Sequence, residues 1–103
     1  MQEIIDLSAI GHARTSQIKQ LHLESQNGHS GVYKIYTKWP GYPDLDDYLR
    51  VGYNNARHID YIDFDGGPFL TIGSKVGDYI ITDFIHDGNF KKIKVIVDDN
   101  VYN

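Results

Sequence analysis

From Val32 to Trp39 the side chains alternate with a period of two. Tyr33, Ile35, Thr37 and Trp39 fall on one side, and Lys34, Tyr36 and Lys38 on the other. That period belongs to a strand with one buried face and excludes an amphipathic helix over the same residues. The alternation recurs at Gln20-Leu21-His22-Leu23-Glu24, where it competes with a helical spacing of Ile18 and Leu21 behind a Ser16 cap, and again where Ile93, Val95 and Val97 interleave with Lys92, Lys94 and Ile96. Turn signals stand before each second run: Asn27-Gly28 within 26–31, and Asp87-Gly88-Asn89. Two β-hairpins are therefore expected, 18–25 with 32–39 and 79–86 with 90–98.

Composition points the same way. The chain has three Ala and two Glu, both strong helix formers, against thirteen Ile, six Val and thirteen aromatic residues. Twelve of its fourteen acids are Asp, which prefers turns and caps. Further strands are expected at 3–7, 58–64 and 69–72, with turns at Gly66-Gly67-Pro68, Gly73-Ser74-Lys75 and Gly77-Asp78.

One segment reads differently. Pro40, Gly41 and Pro43 break the sheet after Trp39. Asp44 then fits a helix N-cap, with Asp47 adding negative charge to the first turn. Leu45, Tyr48 and Leu49 stand at i, i+3 and i+4, and Gly52 fits a C-cap. This predicts one short helix over about 45–51. The expected fold is α+β and mostly antiparallel β. It is a single domain over 1–103, a small barrel or strongly bent sheet of six to seven short strands with that helix docked on it. The runs Phe69-Leu-Thr-Ile-Gly and Val76-Gly-Asp-Tyr-Ile-Ile resemble strand–turn–strand segments of SH3-like small barrels, over about a fifth of the chain.

Without cysteine, a disulfide framework, a thiolate zinc site and a thiol nucleophile are excluded. No apolar run approaches the ~20 residues of a membrane span, and Met1-Gln2-Glu3 shows no basic n-region, so a cytoplasmic protein is expected.

Charge is unevenly placed. Residues 40–66 hold six aspartates and two arginines, which accounts for the whole formal net charge of −4; the remaining acids and bases balance. The same stretch holds Tyr42, Tyr48, Tyr53 and Tyr61 and follows Trp39 directly. Tyrosine and tryptophan make stiff, amphipathic interface anchors, while an acidic surface steers toward a basic one and repels nucleic-acid phosphate. The leading expectation is a non-enzymatic module that docks a protein with a basic surface through Trp39, Tyr42, Asp44, Asp46, Asp47 and Tyr53. In its short, acidic, cysteine-free, Ile-, Asp-, Tyr- and Asn-rich profile the chain resembles small phage and mobile-element accessory proteins that inhibit a host factor.

Two other readings are carried forward. Asp63, Asp65, Gly66, Gly67 and Phe69 could line a small-ligand pocket, with the protein oligomeric. Asp60, Asp63 and Asp65, with His58, could centre a metal-dependent hydrolase. However, strand parity puts Asp60 on the face of Ile62 and Phe64, opposite Asp63 and Asp65, so no metal site is assigned. No cofactor is expected: Gly66-Gly67-Pro68 lacks the Lys-Ser/Thr of a phosphate loop, and no G-x-S-x-G elbow is present. Lys34, Lys38, Lys91, Lys92 and Lys94 would form a basic stripe only if the two hairpins paired, and the acidic balance disfavours a nucleic-acid role. Pairing of sheet edges in a homodimer is the expected route to self-association.

Overall fold

The computed structural model describes residues 1–7, 18–39 and 42–99, with 18–19, 38–39 and 42–46 described by backbone alone. Nine strands occur among them: β1 (Glu3–Asp6), β2 (Ile18–Asn27), β3 (Ser30–Trp39), β4 (Tyr42–Tyr53), β5 (Ile59–Phe64), β6 (Phe69–Thr71), β7 (Lys75–Val76), β8 (Tyr79–His86) and β9 (Ile93–Asp99). They form two antiparallel sheets, one of five strands in the order β2-β3-β4-β5-β6 and one of four in the order β1-β9-β8-β7. One of the two sheets curls as a half-barrel. Among the described residues no helix is long and apolar enough to cross a membrane.

Both hairpins form as the alternation requires. In β2–β3, Gly28 takes the left-handed φ of +62° that the tight turn needs. Ile35 and Thr37 are buried and Tyr33 half-buried, all on the inner face. In β9, Ile93, Val95 and Val97 are buried while Lys94 is exposed.

The helix expected over 45–51 is instead the middle of a twelve-residue strand. Asp47, Leu49, Val51 and Tyr53 are all buried, alternating with half-buried Tyr48 and Arg50. Read this way, Leu45, Tyr48 and Leu49 are not one face. The strand period runs through Asp47 and continues past Leu49 to Val51 and Tyr53. β4 lies between β3 and β5 and pairs with both, so ladder bonds on two sides outweigh the local capping signals. Pro43 lies within β4, and Trp39 stands opposite Tyr42 in the β3–β4 ladder, so the sheet resumes where the sequence predicts a departure from it. The register then slips, so that Lys38 faces Asp46. Residues 101–103 lie outside the described residues.

The inner faces of the two sheets meet in one core. Ile35, Leu49, Val51, Ile59 and Ile62 come from the larger sheet, and Ile81, Val95 and Val97 from the smaller, all fully buried. At one end the sheets are tied by side chains. The rings of Tyr33 and Tyr53 lie 5.2 and 5.5 Å from Phe90. His86 Nδ1 accepts the Gly88 N–H at 2.9 Å, which leaves the proton on Nε2 to donate to the Arg57 carbonyl at 2.7 Å. His58 Nε2 lies 3.0 Å from Asp83 Oδ1. The β4–β5 loop is thereby held against the end of the β8–β9 hairpin.

Candidate functional site

The larger sheet turns its other face outward. Cross-strand neighbours there follow from register: Lys34 opposite Arg50, Arg50 opposite Asp63, and Asp63 opposite Phe69 in one row. The next rows hold Tyr36 opposite Tyr48 on one side, and Gly52 opposite Tyr61 on the other. Four aromatic rings are thus distributed over four adjacent strands. Tyr36, Tyr48 and Tyr61 are half-buried, and Phe69 is 59% exposed.

The rings are held in defined positions. Tyr61 and Phe69 stack at 5.2 Å with 20° between planes. Tyr61 lies against Gly52, where a Cβ would overlap its ring, so glycine is what lets the phenol lie down on the sheet. Tyr36 and Tyr48 meet at 6.2 Å, and the Lys34 ammonium sits 4.1 Å from the Tyr48 centroid. Arg50 crosses above Tyr48 and reaches Glu24 on the edge strand with a bidentate pair at 2.7 and 3.1 Å. The Arg50 hydrogen bonds hold the Glu24 carboxyl below the usual range. Burial, seconded by the neighbouring Asp63 carboxylate, raises the Tyr61 phenol. The face is therefore aromatic, close to charge-balanced and rigidly built.

An open cleft of about 290 Å³ lies at the end of this sheet where β2–β3 turns. Ser25, Asn27 and Ser30 line it from the hairpin, Tyr53 from β4 and Asp60 from β5. A second cleft of about 230 Å³, on the other sheet, is lined by Ile85, His86, Asp87, Lys92 and Lys94.

The expected docking residues fare unequally. Tyr53 is 4% exposed and Asp47 2%, so both belong to the interior and present no docking surface. Tyr53 faces inward because it shares the parity of Leu49 and Val51. Asp47 also points inward, where its Oδ1 accepts the Tyr48 N–H. The side chains of Trp39, Tyr42, Asp44 and Asp46 lie outside the described residues. Of the expected ligand site, Asp63 and Phe69 do share the outer face, while Asp65, Gly66 and Gly67 form the exposed β5–β6 turn.

Strict alternation in β5 fails at a bulge: Gly52 faces Tyr61 but Tyr53 faces Ile59. Ile59 and Ile62 both point inward as a result. Asp60 is exposed and accepts the Asn54 side-chain amide at 3.2 Å, and it does not share the face of Ile62 as parity alone implied. Among the described residues no three His, Asp or Glu side chains are placed to hold a metal ion. The two hairpins belong to different sheets, so Lys34 and the Lys91, Lys92 and Lys94 group do not line one stripe.

Sequence reasoning missed Tyr36, Tyr61, Lys34 and Arg50 as one surface. Their shared parity with polar neighbours was visible in β3, but only the true strand assignment of β4 joins them. Comparison with protein-family models, curated proteins and solved structures found no match.

Proposed function

We propose that this chain is a non-enzymatic binding module that docks a protein partner on the outer face of the five-stranded sheet. One observation carries the reading. Tyr36, Tyr48, Tyr61 and Phe69 stand on adjacent strands with Lys34 and Arg50 between them, on the face opposite the core. Tyr, Phe and Arg are the side chains that protein interfaces concentrate, and rings already fixed by stacking lose little entropy on binding. The mechanism is occupancy. Phe69 and Tyr61 supply apolar contact area, and Tyr48 with Lys34 supplies a second anchor. Glu24, Arg50 and Asp63 set polar register around them. The net charge of −4 steers the module toward a partner with a basic surface.

The test is affinity capture from extracts of the native cell, with bound proteins identified by mass spectrometry. Tyr48→Ala/Phe69→Ala should lose the partner that the wild-type chain retains. Ile4→Ala, exposed on the four-stranded sheet, should keep it. Equal capture by all three proteins, or no specific partner for the wild type, overturns the reading.

A further inference from the structure

Asp63 stands opposite a counter-ion that it does not hold. Arg50 is its direct neighbour in the β4–β5 ladder, where unlike charges ordinarily pair. The Arg50 guanidinium turns the other way, to Glu24 on the edge strand, with two nitrogens committed at 2.7 and 3.1 Å. Among the described residues no cationic group lies within ion-pair distance of the Asp63 carboxylate.

The rings beside Asp63 are in the same condition. Phe69 is opposite it in the β5–β6 ladder, and Tyr61 precedes it by two residues on the same outward face. Directly opposite residues hold their Cβ atoms about 4.5–5.5 Å apart, so carboxylate and rings border one patch. Elsewhere on this face a ring carries a cation: the Lys34 ammonium is 4.1 Å from the Tyr48 centroid, and the Arg50 guanidinium 5.1 Å. Among the described residues neither Tyr61 nor Phe69 has one. Tyr61 stacks on one side of the Phe69 ring, and Phe69 remains 59% exposed. Water solvates the carboxylate in the free chain, but the ring beside it is apolar area still to be covered. One half of the face thus has its cations built in, and the other half has the carboxylate and the rings without them. The formal charge of −4 also resides in residues 40–66, which include β5.

We infer, resting on the docking reading above, that the partner places an arginine side chain on this half of the face, its guanidinium stacked on Phe69 and hydrogen-bonded to the Asp63 carboxylate. Arginine fits better than lysine. Its planar fork stacks on a ring and binds a carboxylate with two parallel hydrogen bonds, whereas an ammonium is a compact point charge.

The experiment is selection of a random peptide library displayed on phage against the immobilised wild-type chain. Binders should share an arginine, and a parallel selection on Asp63→Asn should lose it. The synthesised peptide should shift the Asp63 and Phe69 amides of the ¹⁵N-labelled chain. Asp63→Asn should weaken it about tenfold, as loss of a charged hydrogen-bond partner does. Citrulline in place of the shared arginine should weaken it by a similar factor. Asp78→Asn, which removes the same charge from the β7–β8 turn, should change affinity less than about twofold, because exposed charges at a distance are screened. Asp63→Asn is isosteric and on the outer face, so it should keep the dispersed wild-type spectrum. Arginine peptides that Asp63→Asn leaves unchanged, or that Asp78→Asn weakens equally, overturn the inference. Binders without a shared arginine, lost in Tyr48→Ala/Phe69→Ala but not in Asp63→Asn, overturn it while leaving the docking face in place. No binder at all, or shifts confined to the four-stranded sheet, overturns both.

Discussion

Tyr61 occupies the space that a side chain at Gly52 would need: a Cβ built on Gly52 falls within the Tyr61 ring. The two residues are opposite one another in the β4–β5 ladder, in the middle of the sheet. Gly52→Ala should therefore destabilise the fold by about 1–3 kcal/mol, the usual cost of overpacking. In the Tyr61→Ala background the same change should cost well under half as much. A double-mutant cycle by urea denaturation measures the coupling; additive effects would show that Tyr61 does not lie on Gly52.

Arg57 takes a φ of +58°, as does Phe90 at +63°, and the Arg57 guanidinium stands 4.8 Å from the Phe90 ring. A left-handed conformation is unfavourable for any residue with a Cβ. Arg57→Gly should exceed Arg57→Ala in stability by about 1 kcal/mol, since both lose the cation–π contact and glycine alone relieves the backbone. Paired denaturation midpoints check this, and equal midpoints contradict it.

Glu24 titrates below its ordinary value of 4.5 because Arg50 hydrogen-bonds its carboxylate. A lowered folded-state value means that the pair contributes fully above about pH 4.5. Its contribution fades as pH falls through the lowered value. Carboxyl carbon shifts should give Glu24 a midpoint below 4.5 in the wild type, returning toward 4.5 in Arg50→Gln. A wild-type midpoint at or above 4.5 would remove the ion pair from the account. The pair is exposed, so its effect on total stability is small.

Phe69 is 59% exposed and stacks on Tyr61. Phe69→Ala should cost no more than about 1.5 kcal/mol of stability, the size of one aromatic pair. Partner affinity should fall by more than tenfold, as at an interface anchor. Isothermal calorimetry with the captured partner and thermal unfolding separate the two. A large stability loss with unchanged affinity would make Phe69 a structural residue.

Much of this architecture is legible in the sequence where one face is dry. Ile93, Val95 and Val97, or Tyr33, Ile35 and Thr37, alternate because the core lies on one side. Asn27-Gly28 marks the turn because only a residue tolerant of positive φ fits there. β4 was misread because Asp44, Asp47 and Gly52 carry good helix-end chemistry, whereas the strand's partners are far away in sequence. Leu49 faces Ile35 and Phe64, contacts that no local window contains. The site suffered from the same error. With β4 taken as a helix, Tyr48 and Arg50 could not be placed beside Tyr36 and Lys34. The β5 bulge likewise hid Asp60 from a strict count of two.

The central claim is that the aromatic outer face of the five-stranded sheet is where a partner sits. Amide-detected cross-saturation of the ¹⁵N,²H-labelled chain in complex with its captured partner tests it directly. The account predicts saturation at Lys34, Tyr36, Tyr48, Arg50, Tyr61 and Phe69, with Ile4, Lys94 and Ile96 silent. Saturation centred on the four-stranded sheet, with the Tyr48 and Phe69 amides unaffected, would contradict it.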